Sequence, residues 1–180
     1  IIVVRTTIIL LLLGMAVILI LEANKGLSSY NWFDKIVQAF FCSVAPRTAG
    51  FNTLDFAIFS PATVMFIIIL MWIGASPGST GGGIKTTSLA LAFLNARSLG
   101  KSQENIIFKK RTIGNGSIQK AFVIIVFSLL TIFVGIILVS AFDPHLGFMN
   151  IMFEVFSAFG TVGLTLGITH NLSLASKIVI

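Results

Sequence analysis

Residues Ala121–Phe142 form a long unbroken run of uncharged, mostly apolar residues. As a helix rising about 1.5 Å per residue, such a run crosses the ~30 Å hydrocarbon core of a bilayer. The opening run Ile1–Leu21 carries one charge, Arg5, near its start, where a long side chain can reach the interface. Hydrocarbon offers no water to backbone N–H and C=O groups, so runs of this kind are confined to helices. The composition agrees: 56% of the residues are hydrophobic and 10% charged, against about 25% charged in soluble domains. The fold expected is all-α and integral to a membrane.

The net charge of +6 would suggest a nucleic-acid partner in a soluble protein. Here Arg97, Lys101, Lys109, Lys110, Arg111 and Lys120 face only Glu104 within one connecting segment. The excess of positive charge places that segment in the cytoplasm, as a topology signal or as a docking surface for a cytosolic partner or anionic lipid. Cys42 is the single cysteine, which excludes an internal disulfide and a thiolate metal cluster. The chain opens on Ile1, with no small-residue cleavage site after its first run, and closes inside the segment Ala175–Ile180. It reads as a piece of a longer polypeptide.

Between the long runs lie apolar segments too short to span. Trp32–Val44 is the first of them. Asn31 stands at its cap and Asp34 in its first turn, where negative charge suits the helix dipole; Pro46 then disfavours further helix. This predicts a re-entrant half-helix followed by a climbing loop through Thr53. Ser60-Pro61 reads as a helix start. The short apolar run Ala62–Ile73 leads into the glycine-rich Gly74–Gly83, and Ile84–Leu94 resumes helix. After Ala121–Phe142 and the turn Asp143-Pro144-His145 the order returns: short apolar Met149–Phe159, loop Thr161–Thr169, and the beginning of a last helix at Leu174.

Two tetrads occupy matching places in this order, Thr48-Ala49-Gly50-Phe51 and Thr161-Val162-Gly163-Leu164. The offset that carries Thr48 to Thr161 and Gly50 to Gly163 also pairs Phe40 with Phe153. Irregular backbone at membrane depth survives only where it is buried or lines water. Glycine permits the angles that turn carbonyls to one side, and a cation stripped of water needs such oxygens, as in the TVGYG filter of potassium channels. Each preceding half-helix would aim its negative end at the ion. Two such units do not close a ring, whereas four would.

Other residues carry weaker signals. Arg47 beside the first tetrad reads as a brace, bonded to carbonyls or to Asp55, or as an electrostatic tuner of the path. Gly78-x4-Gly83 followed by Lys85-Thr86 approaches a phosphate-binding loop, but its lysine is one residue late and no strand precedes it. Gly74, Ala75, Ser76, Pro77, Gly78, Ser79, Thr80, Gly81, Gly82 and Gly83 read instead as a movable gate, or as a site of close helix packing. Lys85 lines the inner vestibule or pairs with an acid from elsewhere. Glu154, inside the second short helix, holds its loop or attracts cations. His145 and His170 read as solvated.

Ala45–Thr53 (APRTAGFNT), Ile73–Thr87 (IGASPGSTGGGIKTT) and Phe156–Leu164 (FSAFGTVGL) resemble the Trk/Ktr/HKT superfamily of potassium transporters, most closely the membrane subunit of Ktr systems. The resemblance implies two parallel M1–P-loop–M2 repeats of a four-repeat, potassium-channel-like pore. The third repeat would occupy 1–99, a basic cytoplasmic loop 100–116, and a truncated fourth repeat 117–180. It implies potassium uptake across the plasma membrane rather than enzyme activity, with Gly50 and Gly163 as filter glycines, the other tetrad residues contributing carbonyls, and Gly74–Gly83 as the intramembrane gate. It implies no bound cofactor, potassium as substrate, sodium as a possible activator, a homodimer, and a cytosolic nucleotide- and NAD-binding regulatory subunit of the KtrA/TrkA kind.

Overall fold

A computed structural model describes residues 2–100, 107–108, 111–112 and 115–180. The elements run α1 (Ile2–Glu22), α2 (Trp32–Val44), a 3-10 turn (Phe56–Ile58), α3 (Pro61–Trp72), α4 (Thr86–Leu99), β1 (Ile107–Phe108), β2 (Arg111–Thr112), α5 (Asn115–Phe142), α6 (Phe148–Phe159), a second 3-10 turn (Thr169–Asn171) and α7 (Leu174–Val179). A long helix, a short helix, an irregular segment and a further helix therefore follow one another twice. The described elements are helical as expected, with one short exception. Within the basic segment, β1 and β2 pair antiparallel, Ile107 opposite Thr112 and Phe108 opposite Arg111. Lys101, Glu104, Lys109 and Lys110 lie outside the described residues.

Among the described residues two helices are long and apolar enough to cross a membrane, Val3–Glu22 and Gly116–Phe142. Their apolar side chains face outward: Ile8, Leu12 and Ile20 on α1, and Val126, Phe127, Leu130 and Phe133 on α5 are exposed. A water-soluble protein rarely exposes apolar surface on this scale. Lipid tails are as apolar as leucine, so helix association in a bilayer rests on packing and interhelical hydrogen bonds. Such bonds are present. Ser43 Oγ donates to the Leu11 carbonyl of α1 at 2.8 Å, where Gly14 leaves room for it. Trp72 Nε1 of α3 donates to Ser128 Oγ of α5 at 3.1 Å.

α1 packs on α2, α3 and α4, while α5 packs on α4, α6 and α7, and α3 against α6 joins the halves. The larger core takes Ile18, Ala39, Cys42, Phe56, Ile67 and Met71 from the first half, with Phe153, Val162 and Leu164 from the second. A smaller core holds Ile132, Val139, Ile151, Val155, Ile168 and Leu172.

Several helix boundaries differ from expectation. α5 begins at Asn115, ahead of the apolar run, and α4 runs from Thr86 to Leu99 rather than from Ile84 to Leu94. Asn31 and Ser60 stand at the N-caps of α2 and α3, but neither side chain caps its own helix. Ser60 instead turns its hydroxyl to Glu22.

Candidate functional site

The site is built where the two tetrads meet the glycine-rich loop. Each tetrad leaves the C-terminus of a short helix, α2 or α6. In both, the threonine lies in the left-handed region, φ +63° at Thr48 and +52° at Thr161. So does the glycine two residues on, +70° at Gly50 and +83° at Gly163. Glycine takes this region freely. For a β-branched threonine it is an outlier that persists only where the surroundings enforce it, at a cost of order 1–3 kcal/mol. Each threonine hydroxyl donates to the carbonyl just before it, Thr48 to Arg47 at 2.6 Å and Thr161 to Gly160 at 2.7 Å. Residues of alternating hand turn successive peptide planes the same way, so that their N–H groups converge on one side and their carbonyls on the other.

The tetrads approach each other closely. A Cβ on Gly50 would stand 2.8 Å from the Val162 carbonyl oxygen, and one on Gly163 would stand 3.8 Å from Gly50 Cα. Their flanks differ. Val162 and Leu164 are buried in the larger core and alternate with the exposed Thr161 and Gly163. Ala49 is half-buried and Phe51 is 75% exposed. The residues at the second and fourth tetrad positions thus offer only backbone at Val162 and Leu164.

Gly74–Gly83 runs between α3 and α4 and lies against both threonines. Its neck is closed by the Trp72 carbonyl, which accepts from the Ile84 amide at 2.9 Å and the Gly74 amide at 3.1 Å. The Gly82 amide donates to Thr161 Oγ at 2.7 Å. A Cβ on Gly82 would meet the Phe159 carbonyl oxygen at 2.6 Å, and one on Gly81 would meet the Thr48 methyl at 2.8 Å. Only glycine lets the loop approach the tetrads this closely. Ala75 and Ser76 are half-buried on the way out, and Pro77–Thr80 form an exposed tip. Within the chain, Lys85 bonds to the loop itself. Its ammonium donates to the Gly81 carbonyl at 2.5 Å and the Ser79 carbonyl at 3.2 Å, so it braces the loop and is not held free for a phosphate.

Glu154, on α6, is 5% exposed. Its Oε1 accepts from the hydroxyls of Thr165 and of Thr169, the latter at 2.9 Å. Thr165 Oγ also accepts from the Gly167 amide at 2.9 Å. Glu154 therefore holds the segment after the second tetrad. Arg47 does not pair with Asp55: that carboxylate accepts from the Ala57 amide at 2.9 Å. Nε and Nη2 of Arg47 are buried without a partner among the described residues. His145 and His170 are exposed. Among the described residues no His, Cys, Asp and Glu group could hold a metal ion, so oxygen atoms of the loops are the ligands on offer. Sequence reasoning passed over Glu22 and Asp143, which each reach the start of a later helix. The available signal was the pair Ser60-x-x-Thr63 and Ser173-x-x-Ser176, separated by the same offset as the tetrads.

The family model for TrkH, described as a cation transport protein, matches residues 1–180. The chain belongs to this family. Among curated relatives of the TrkH family, Ktr system potassium uptake protein B of Bacillus subtilis is 38% identical over 97% of this chain and 39% of its own length. Ktr system potassium uptake protein D of the same organism is 37% identical over 95% of this chain and 38% of its own length. The potassium/sodium uptake protein NtpJ of Enterococcus hirae is 36% identical over 95% and 39%. The chain thus spans about two fifths of the length of these relatives. Family members are named as transport proteins, in agreement with the expectation of a transporter rather than an enzyme.

Proposed function

We propose that this chain supplies two of the four helix–loop–helix repeats of a potassium uptake protein. In this reading, backbone carbonyls of Thr48–Phe51 and Thr161–Leu164 contribute to a selectivity filter, and Gly74–Gly83 is the gate beneath it. The observation that carries the reading is the paired left-handed backbone at Thr48 and Gly50 and at Thr161 and Gly163, two segments that approach each other directly. Enforced strain at matching positions is expected where function needs it, and aligned carbonyls can replace the hydration shell of a cation. The names of the TrkH-family relatives support potassium as substrate.

The parent protein would cross the plasma membrane several times, with the basic segment in the cytoplasm. It would assemble as a homodimer on a cytosolic nucleotide-binding regulatory subunit, with sodium as activator. The testing experiment is potassium-limited growth of a bacterium stripped of its own potassium uptake and expressing the full-length parent. Wild type should rescue growth and Gly50→Asp should not. Rescue by both would remove Gly50 from the ion path. Rescue by neither, with both proteins present in the membrane, would count against potassium uptake.

A further inference from the structure

Each half of the chain carries a buried carboxylate at the C-terminal end of its long helix, and each reaches the first turn of the helix that follows a tetrad. Glu22, the last residue of α1, is fully buried. Its Oε1 accepts from the Ser60 amide at 2.9 Å, the Ser60 hydroxyl at 2.6 Å and the Thr63 hydroxyl at 2.5 Å. Its Oε2 accepts from the Gly26 amide at 3.1 Å. Asp143 follows α5 directly and is 3% exposed. Its Oδ2 accepts from the Ser173 amide at 2.9 Å, and the Ser173 hydroxyl in turn accepts from the Ser176 amide at 3.3 Å.

The partners stand at equivalent places and the acids do not. Ser60 and Ser173, like Thr63 and Ser176, are separated by the offset of the tetrads, whereas Glu22 and Asp143 are set further apart. One contact is therefore made twice, by side chains of different length from different points of their helices. Neither helix needs it in order to start. Pro61 at the first turn of α3 and the Ser173 side chain, which caps α7 by accepting from the Ser176 amide, already favour initiation. A carboxylate here does more: it satisfies orphan amides at a positive helix end and ties that end to the preceding long helix.

The tie bears on the tetrads through chain length. Ser60 follows Gly50 at the same short chain distance as Ser173 follows Gly163. Each tetrad leaves its short helix on one side and must return to a clasped helix start on the other. In the first half the clasp also holds the return path. Phe59 lies against Gly26, whose amide is on the same carboxylate, and Leu54 and Phe56 are buried between them and the tetrad. In the second half Ile168 and Leu172 are buried along the equivalent stretch.

We propose that Glu22 and Asp143 are positioning residues for the filter, fixing where each returning segment ends and so the spacing of the tetrad carbonyls. The proposal rests on the filter reading above. It is tested in the full-length parent by rubidium uptake kinetics and by inhibition of that uptake by sodium, both normalised to protein in the membrane. Glu22→Ala and Asp143→Ala should each raise the half-saturation concentration about three- to tenfold and sharpen inhibition by sodium, with the maximal rate per copy changed less than twofold. Glu22→Gln and Asp143→Asn keep an acceptor oxygen and should shift both readouts in the same direction by less. These amide variants decide the matter if the alanine variants fail to reach the membrane. Ser60→Ala with Thr63→Ala should reproduce Glu22→Ala, and the triple variant should add little.

Unchanged half-saturation and sodium inhibition in variants present in the membrane would overturn the proposal. So would a fall in protein amount with normal kinetics per copy, which is the mark of a purely structural clasp. Gly50→Ser and Gly163→Ser in the same assay separate the two readings. If they shift half-saturation and the clasp variants do not, only the clasp proposal fails. If neither set shifts it, the filter reading fails as well.

Discussion

The amide of Gly82 donates to the hydroxyl of Thr161 at 2.7 Å, joining segments far apart in the chain. That hydroxyl in turn donates to the Gly160 carbonyl. The loop and the second tetrad therefore share one side-chain oxygen. A Cβ at Gly82 would push on the Phe159 carbonyl oxygen at 2.6 Å, and backbone cannot yield as a flexible side chain can. Gly82→Ala in the full-length parent should lift the loop from the tetrad and raise the maximal rate of potassium uptake about two- to fivefold, with selectivity kept. Deleting Gly78–Gly83 should do the same more strongly. A lowered or unchanged rate would count against a gate.

Gly50 and Gly163 should not be equally sensitive. Both have positive φ, so any side chain costs about 1–2 kcal/mol in backbone strain. Only at Gly50 would the new Cβ also collide, 2.8 Å from the Val162 carbonyl oxygen; at Gly163 the nearest atom is 3.8 Å away. Gly50→Ala should therefore raise the half-saturation concentration for potassium several-fold more than Gly163→Ala does. Equal effects, read from uptake kinetics, would mean that strain alone matters.

Glu154 accepts two hydroxyls at a buried position. Removing the acceptor leaves Thr165 and Thr169 only each other and the Gly167 amide as partners, a loss of about 1 kcal/mol for each hydrogen bond. Glu154→Ala should lower the melting temperature of the purified parent and weaken potassium affinity, and Glu154→Gln should retain most of both. If Glu154→Gln behaves like Glu154→Ala, the charge rather than the hydrogen bonds is what matters.

Trp72 Nε1 and Ser128 Oγ form one bond between α3 and α5. Trp72→Phe and Ser128→Ala should each cost about 1 kcal/mol. The double variant should cost less than the sum of the two single variants. Thermal unfolding in detergent measures this, and strict additivity would show that the bond contributes nothing.

Asp143 is held below the ordinary aspartate range by the Ser176 side chain first and the Ser173 amide next, with a smaller contribution from His145. A depressed folded pKa means that the folded state binds its proton later than the unfolded chain does. The stabilisation is complete above the unfolded value of about 3.9. It is lost as pH falls through the lower folded value. The melting temperature of the parent should therefore fall below about pH 4, and Asp143→Asn should flatten that part of the profile. An unchanged profile would show that Asp143 contributes nothing to it.

The long apolar runs, the short helices and both tetrads were legible because each is written locally, in run length, in prolines and in a Thr-x-Gly spelling that recurs at matching places. Lys85 and Arg47 were not. A charge near membrane depth has to find acceptors, and composition does not say which. Lys85 found the carbonyls of its own loop, and Asp55 stands as the N-cap of the first 3-10 turn, accepting from the Ala57 amide. The clasp was hidden for a related reason: Glu22 and Asp143 do not share a register, so only their serine and threonine partners repeat.

By itself the sequence determined that the chain is largely helical, that the runs Ile1–Leu21 and Ala121–Phe142 are long enough to cross a membrane, and where irregular backbone must interrupt the helices. These follow from the cost of unpaired polar groups in hydrocarbon, which acts residue by residue. The tertiary structure decided what those irregular segments touch. Thr48 and Thr161 hold left-handed backbone where the glycine-rich loop, from residues far away in the chain, lies against them. Strain of that kind persists only when packing from elsewhere enforces it, so no local reading of TAGF or TVGL could have contained it.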